Sequence, residues 1–362
     1  MVKRAKRKKR INFIKLINEK LKLNSSHKGK NKLQNLVNLK ETLEINIIYN
    51  GISLGYIKLL LILILFIQVL SNSPSGQSVF SNIKLKIYGK GVHQIFCSDV
   101  RDFSKDFYPN KIYINNNKTT NVTPFYFLDQ ENENIISLVW NKSINNSKHM
   151  FHGCSNITEI DLSHFDTSKI TQTSDMFTGC SKLTSINFSN FDTSKVIRIG
   201  YMFKDCSSLI SLNLSSFNTS NAEYMRFMFY GCSSLSSLDL SNFDTSRVIM
   251  MNNMFYGCSN LTSLNLSNFN TTKVTDMNSM FDGCTKLEYI NLKNFNDSKL
   301  VNHLKNIFNQ VPDNIVICIN KNNAKILEQL EQKKCYNIDC SIDWKSKQKK
   351  IIITNNTNCY EN

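Results

Sequence analysis

Apolar positions along the middle of this chain return with a fixed period of 26 residues. A Met-Phe pair recurs at Met150, Met176, Met202, Met228, Met254 and Met280, and a cysteine follows four residues later each time, at Cys154, Cys180, Cys206, Cys232, Cys258 and Cys284. In the unit from Met254 to Ser279, Leu264 and Leu266 alternate with Ser263, Asn265 and Ser267. That period of two predicts a short strand, leucines inward and polar residues outward. Val274, Met277, Met280 and Phe281 are spaced three, three and one, which predicts one face of a short helical return. Polar bends such as Asp244-Thr245-Ser246 join the two halves through side chains that bond nearby backbone. A glycine, replaced once by Asp205, marks a second turn before each cysteine. One such unit cannot bury its apolar side alone. The expected fold class is therefore a leucine-rich-repeat solenoid of α/β type, with one short strand and one short helical return element per 26-residue repeat.

The unit also carries a recognisable motif. Leu235, Leu238, Leu240, Ser241, Phe243, Asp244, Thr245, Ser246, Val248, Met251, Met254, Phe255, Gly257 and Cys258 spell L-x-x-L-x-L-S-x-F-D-T-S-x-V-x-x-M-x-x-M-F-x-G-C. This pattern resembles the BspA-like leucine-rich-repeat surface proteins and the mycoplasma lipoprotein-associated repeats, over roughly residues 149–317. The resemblance implies a cell-surface or secreted protein, with adhesion to cells or matrix as the associated activity. Departures are mild: Ala222 stands for valine, Thr173 and His303 stand for the first methionine, and the register shifts by one near Ile307-Phe308.

Six cysteines in one phase suggest a metal or redox array, yet zinc needs about four converging ligands and one cysteine per unit does not converge. Rungs of a stack lie about 4.8 Å apart with parallel side-chain vectors, a strained arrangement for disulfides. Buried unpaired thiols are expected. Cys318, Cys335, Cys340 and Cys359 follow the repeats. Pairs such as Cys318–Cys335 or Cys335–Cys340 are open to them in an oxidising compartment, with a tail zinc site as the minor alternative. No cofactor, metal site or catalytic residue is expected. His149 and His152, three apart, read as surface residues at the first repeat edge.

Charge and hydropathy then divide the flanks. Residues 1–51 form a basic tail, with fourteen Lys/Arg against three Glu in the first fifty positions. Within residues 52–71, Ile57 to Leu70 is nearly unbroken aliphatic, interrupted by Lys58 and Gln68; counting back to Ile52 gives nineteen residues, a marginal length for a membrane span. Basic residues before the segment suit an N-in signal-anchor; a cleaved signal peptide ending near Ser71 and a buried core helix are the alternatives. Residues 72–148 read as a stalk and divergent N-terminal cap, 149–308 as six repeats plus a decaying unit, and 309–362 as a C-terminal cap with a Cys/Lys-rich tail. Sequons at Asn117, Asn121, Asn141, Asn156, Asn213, Asn265 and Asn355 would accept glycans in a eukaryotic secretory pathway.

Together these features favour a non-enzymatic cell-surface recognition or adhesion protein. Its expected partners are a host, matrix or neighbouring-cell protein or glycan, the membrane through residues 52–70, and another copy of itself. The expected contact residues are the outward strand positions Glu159, Asp161, Asn187, Asn213, Asp239, Asn265, Tyr289 and Asn291, with Tyr289 as aromatic anchor. A structural surface coat without a foreign ligand is the alternative. Nucleic acid is disfavoured, because the repeat face is nearly uncharged.

Overall fold

The computed structural model describes residues 81–97, 104–300, 303–331, 333, 337–338 and 340. The basic tail, the apolar segment 52–71, Cys335 and Cys359 fall outside the described residues.

β1 (Ser81–Tyr88) buries Ile83, Leu85 and Ile87 and turns Lys84 and Lys86 outward, as its alternating sequence dictates. It pairs antiparallel with β6 (Glu133–Trp140) and β7 (Ile157–His164), placing Leu85 opposite both Ile136 and Ile160. β3 (Lys111–Ile114), β4 (Asn117–Lys118) and β8 (Ser185–Asn187) complete a six-stranded sheet in the order β4-β3-β6-β1-β7-β8. β2 (Gly91–Gln94) and β5 (Phe125–Leu128) form a separate antiparallel pair. β9 (Ser263–Asn265), β10 (Tyr289–Leu292), β11 (Val316–Ile319) and β12 (Asn337–Ile338) make a parallel sheet in the order β12-β11-β10-β9. α1 (Ala324–Leu330) follows β11 and buries Ile326 and Leu330.

The α/β solenoid expected from the sequence is not what forms. α1 is the single α-helix among the described residues, and it lies after the 26-residue units. Strands appear in four of the six units: segments 209–214 and 235–240 carry the same L-x-L pattern but form no strand. There Leu212 is 9 % exposed, Leu238 is half-buried and Ile210 is 60 % exposed, whereas Leu264 and Ile290 are sealed. The sheets thus end at β8 and resume at β9.

The supposed helical return is also different in kind. Its backbone is extended at Asn146, Gln172, Arg198, Tyr224, Met250 and Asp276, which join in succession through single parallel bridges. The residue before each methionine then turns left-handed: His149, Asp175, Tyr201, Phe227, Asn253 and Ser279 have φ between 52° and 61°. A second left-handed residue, glycine in most units and Asp205 in one, follows three positions after the methionine. Two such turns per unit cannot occur in a right-handed helix. The apolar spacing of three, three and one fits this bridge-and-turn path equally well.

Equivalent residues of successive units touch throughout the core. The rings of Phe151, Phe177, Phe203, Phe229, Phe255, Phe281 and Phe308 stack in file with centroids 5.5–5.8 Å apart and planes within 10°. Each cysteine lies buried behind this file, as unpaired thiol: Cys232 Sγ donates to Phe203 O at 3.1 Å, and Cys180, Cys206, Cys258 and Cys284 repeat the bond. Burial raises these thiols, to about 12 for Cys232 and Cys284. The bridge that forms after the units is Cys318–Cys340, with Cα atoms 4.5 Å apart, and not either pairing suggested by spacing. The backbone brings β11 and the segment after β12 close enough, which the sequence separation of 22 does not reveal.

Candidate functional site

The contact residues expected from the sequence mostly serve the backbone. Asp161, Asn187, Asn213, Asp239, Asn265 and Asn291 each accept, through Oδ1, the backbone N–H two residues ahead, at 2.9–3.1 Å. These are Asx turns that end the L-x-L segment. Their repetition records a turn requirement. Asn187 Nδ2 additionally donates to Asp161 Oδ1 at 3.0 Å. Glu159 is paired with Lys86 at 3.2 Å, and Lys86 also reaches Glu133. Tyr289 is no surface anchor: it is 8 % exposed and packs with Val316 and Cys318. Asn187 and Asn213 do line a shallow cleft of about 380 Å³ with Ile186, Phe188 and Ser216. No continuous recognition row runs along an α/β solenoid, because no such solenoid is present.

A different face stands out, on the bridge-and-turn side around Met202 and Met228. At the left-handed position ahead of the methionine, other units use His, Asp, Asn or Ser; here it is Tyr201 and Phe227. Bulky residues disfavour this conformation, whereas Asn, Asp and His tolerate it. The two rings stack on each other at 4.6 Å with planes 7° apart. Two positions beyond the methionine, where other units place His152, Thr178 and Asp282, stand Lys204, Tyr230 and Tyr256. Tyr230 and Tyr256 stack at 4.6 Å and 6°. Phe227 and Tyr230 meet at 5.6 Å, joining the two stacks.

Three cations lie over this group. Arg198 sits 5.8 Å from the Tyr224 ring centre, Lys204 5.3 Å from Tyr230, and Arg226 5.5 Å from Tyr201. Such contacts stabilise by about 0.5–1 kcal/mol each at exposed sites. Lys204 also pairs with Asp205 at 3.7 Å; among the described residues Arg198 and Arg226 form no ion pair. Gly200 admits this arrangement, since a Cβ there would stand 2.9 Å from Arg226 O and 3.5 Å from Arg226 Cγ. Arg198, Glu223, Tyr224, Gln172 and Ile197 border a small cleft of about 220 Å³ on the same side. Tyr201, Tyr224, Arg226, Phe227, Tyr230 and Tyr256 are all half-buried, and Arg198 is exposed. Sequence reasoning missed this cluster because it followed what repeats. The signal was available where the repeat fails: aromatic and basic residues fill otherwise polar phases in neighbouring units.

Tyr201 carries both the stacked Phe227 and Arg226, and Tyr230 both the stacked Tyr256 and Lys204. Among the described residues no group of His, Cys, Asp and Glu is placed to hold a metal ion. None of the described helices is long and apolar enough to cross a membrane, and the signal-anchor expectation falls on 52–70, outside the described residues.

The fold and this face define a β-rich protein of 26-residue bridge-and-turn units carrying one irregular aromatic patch. Compared with known families, residues 145–238 and 232–315 match the model of DUF285, a Mycoplasma protein of unknown function. The similarity is to that family, and the expected kinship with BspA-like leucine-rich-repeat proteins is corrected accordingly. No curated protein and no solved structure matches the chain.

Proposed function

We propose that the chain is a non-enzymatic protein-recognition module whose contact surface is the aromatic and cationic face on the Met202 and Met228 units. The observation that carries this reading is the placement of Tyr201 and Phe227 at left-handed positions against backbone preference. Tyrosine and arginine are among the residues that dominate binding energy at protein interfaces, and here they cluster on one half-buried face. The buried cysteines suit this reading: with thiols raised by burial and bonded to carbonyls, they serve packing rather than nucleophilic chemistry.

The Cys318–Cys340 bridge supports a working location at the cell surface or in secretion, where disulfides persist. Non-reducing mass spectrometry of the protein from its source cells tests that placement. A reduced pair would argue for the cytosol.

The recognition reading is tested by a photo-crosslinking amino acid placed at Tyr256, with exposed Ile210 as the control position, in intact source cells. Discrete protein adducts from the first site, absent at the control and lost on Arg226→Glu, are expected. Equal labelling at both positions, or adducts indifferent to Arg226→Glu, would remove the proposal.

A further inference from the structure

The aromatic face has an internal symmetry that points to a particular partner. On the bridge row, Arg198 in one unit stands beside Tyr224 in the next. On the row after the methionine, Lys204 stands beside Tyr230 in the same order. Ahead of the methionine the order reverses: Gly200 is followed by Arg226, and Tyr201 by Phe227. Exchanging the two units therefore puts a ring where each of the first two cations was, a glycine where the third was, and a ring where a ring was.

A twofold rotation about an axis in the contact plane, along the boundary between these units, performs that exchange between two molecules. We infer that this face binds a second copy of the chain about such an axis, resting on the recognition reading above. Arg198 and Lys204 of one copy then fall opposite Tyr224 and Tyr230 of the other, so that each cation faces a tyrosine and not another cation. Arg226 meets the small Gly200. The acids also avoid one another: Glu223 falls opposite Ile197, which is 42 % exposed, and Asp205 opposite Gly231. None of these rows places like charges face to face. Self-complementarity of this kind is what an isologous contact demands and what a foreign partner does not.

The test is sedimentation equilibrium of the purified full-length chain, compared with Arg198→Glu/Lys204→Glu and with Val92→Ser/Phe127→Ser, each checked for folding by circular dichroism. The latter pair alters the exposed apolar face of β2 and β5, where Val92 is 68 % and Phe127 61 % exposed. A dimer whose dissociation constant rises at least about tenfold with the charge reversal, and is unmoved by the second variant, is expected. A dimer lost only through Val92 and Phe127 would overturn the inference in favour of the other face. A monomer at all concentrations would overturn it too. If the crosslinks at Tyr256 persisted in that case, recognition of a different protein would stand; if they vanished as well, both readings would fall.

Discussion

Thr219 and Asp244 lock successive units together through one hydroxyl. Thr219 Oγ1 donates to Asp244 O at 2.9 Å and accepts from Asp244 N–H at 2.9 Å, with the threonine 2 % exposed. Thr193, Thr245 and Thr271 repeat both bonds with the backbone of Asn218, Asn270 and Asn296. Valine has the same shape and neither bond. Thr219→Val is expected to destabilise the protein by about 2 kcal/mol, the cost of leaving buried polar groups unpaired. Urea unfolding measures it, with Thr184→Val on the exposed side changing stability by no more than about 0.5 kcal/mol.

The turn carboxylates make stability sensitive to acid. Asp244 is held below its ordinary value by the Ser246 backbone N–H and side chain, and Asp192 by Ser194 in the same way. A lowered folded value contributes stability above the unfolded pKa that is lost as pH falls through the folded one. The equivalent residue is asparagine at Asn218, Asn270 and Asn296, where Oδ1 makes the same bond without charge. Asp244→Asn should therefore keep the fold at neutral pH and flatten the decline of melting temperature below about pH 4.

At the alkaline end the thiols act. Cys232 and Cys284 are pushed up to about 12 from an ordinary 9.0. Stability from a raised group is complete below the unfolded pKa and is lost as pH rises towards the folded one. Between these limits each thiol should lower stability by up to about 1.4 kcal/mol per pH unit. Unfolding in urea at pH 8, 9 and 10 should show this slope, reduced in Cys232→Ala. A slope unchanged by that substitution would assign it to other groups.

Loss of the Cys318–Cys340 bridge should cost about 3 kcal/mol, the loop-closure value for its separation of 22 residues. Cys340→Ser is expected to lower the melting temperature and to raise proteolysis near β11 while sparing the units around Met202. Limited proteolysis with mass mapping separates these regions.

Much of the core is legible in the sequence. The spacing of Phe203, Phe229 and Phe255, and of Cys206, Cys232 and Cys258, is enough by itself to set these residues in one buried file. The backbone between them is not legible in the same way. Val274, Met277 and Met280 satisfy helical spacing, yet the turn at Ser279 is set by a positive φ that serine does not advertise. Equally, Leu212 and Leu238 carry the strand pattern, but pairing depends on both neighbours, and neither forms a strand. Asp239 resembles a contact residue because it points outward; its oxygen is spent on Ser241 N–H.

The interval between β8 and β9 gives the two long sides of the repeat region different kinds of joint between units. On the Met-Phe side, bridges run unbroken from Asn146 to Asp276, while on the other side strand pairing lapses across two units. Across that lapse single bonds join the units: Ser236 N–H donates to Ile210 O at 3.1 Å, and Asn242 Nδ2 to Leu214 O at 3.0 Å. The aromatic face lies on the bridged side, so Tyr201, Phe227 and Tyr230 sit where each unit's backbone is tied to the next through the row that carries Arg198 and Tyr224.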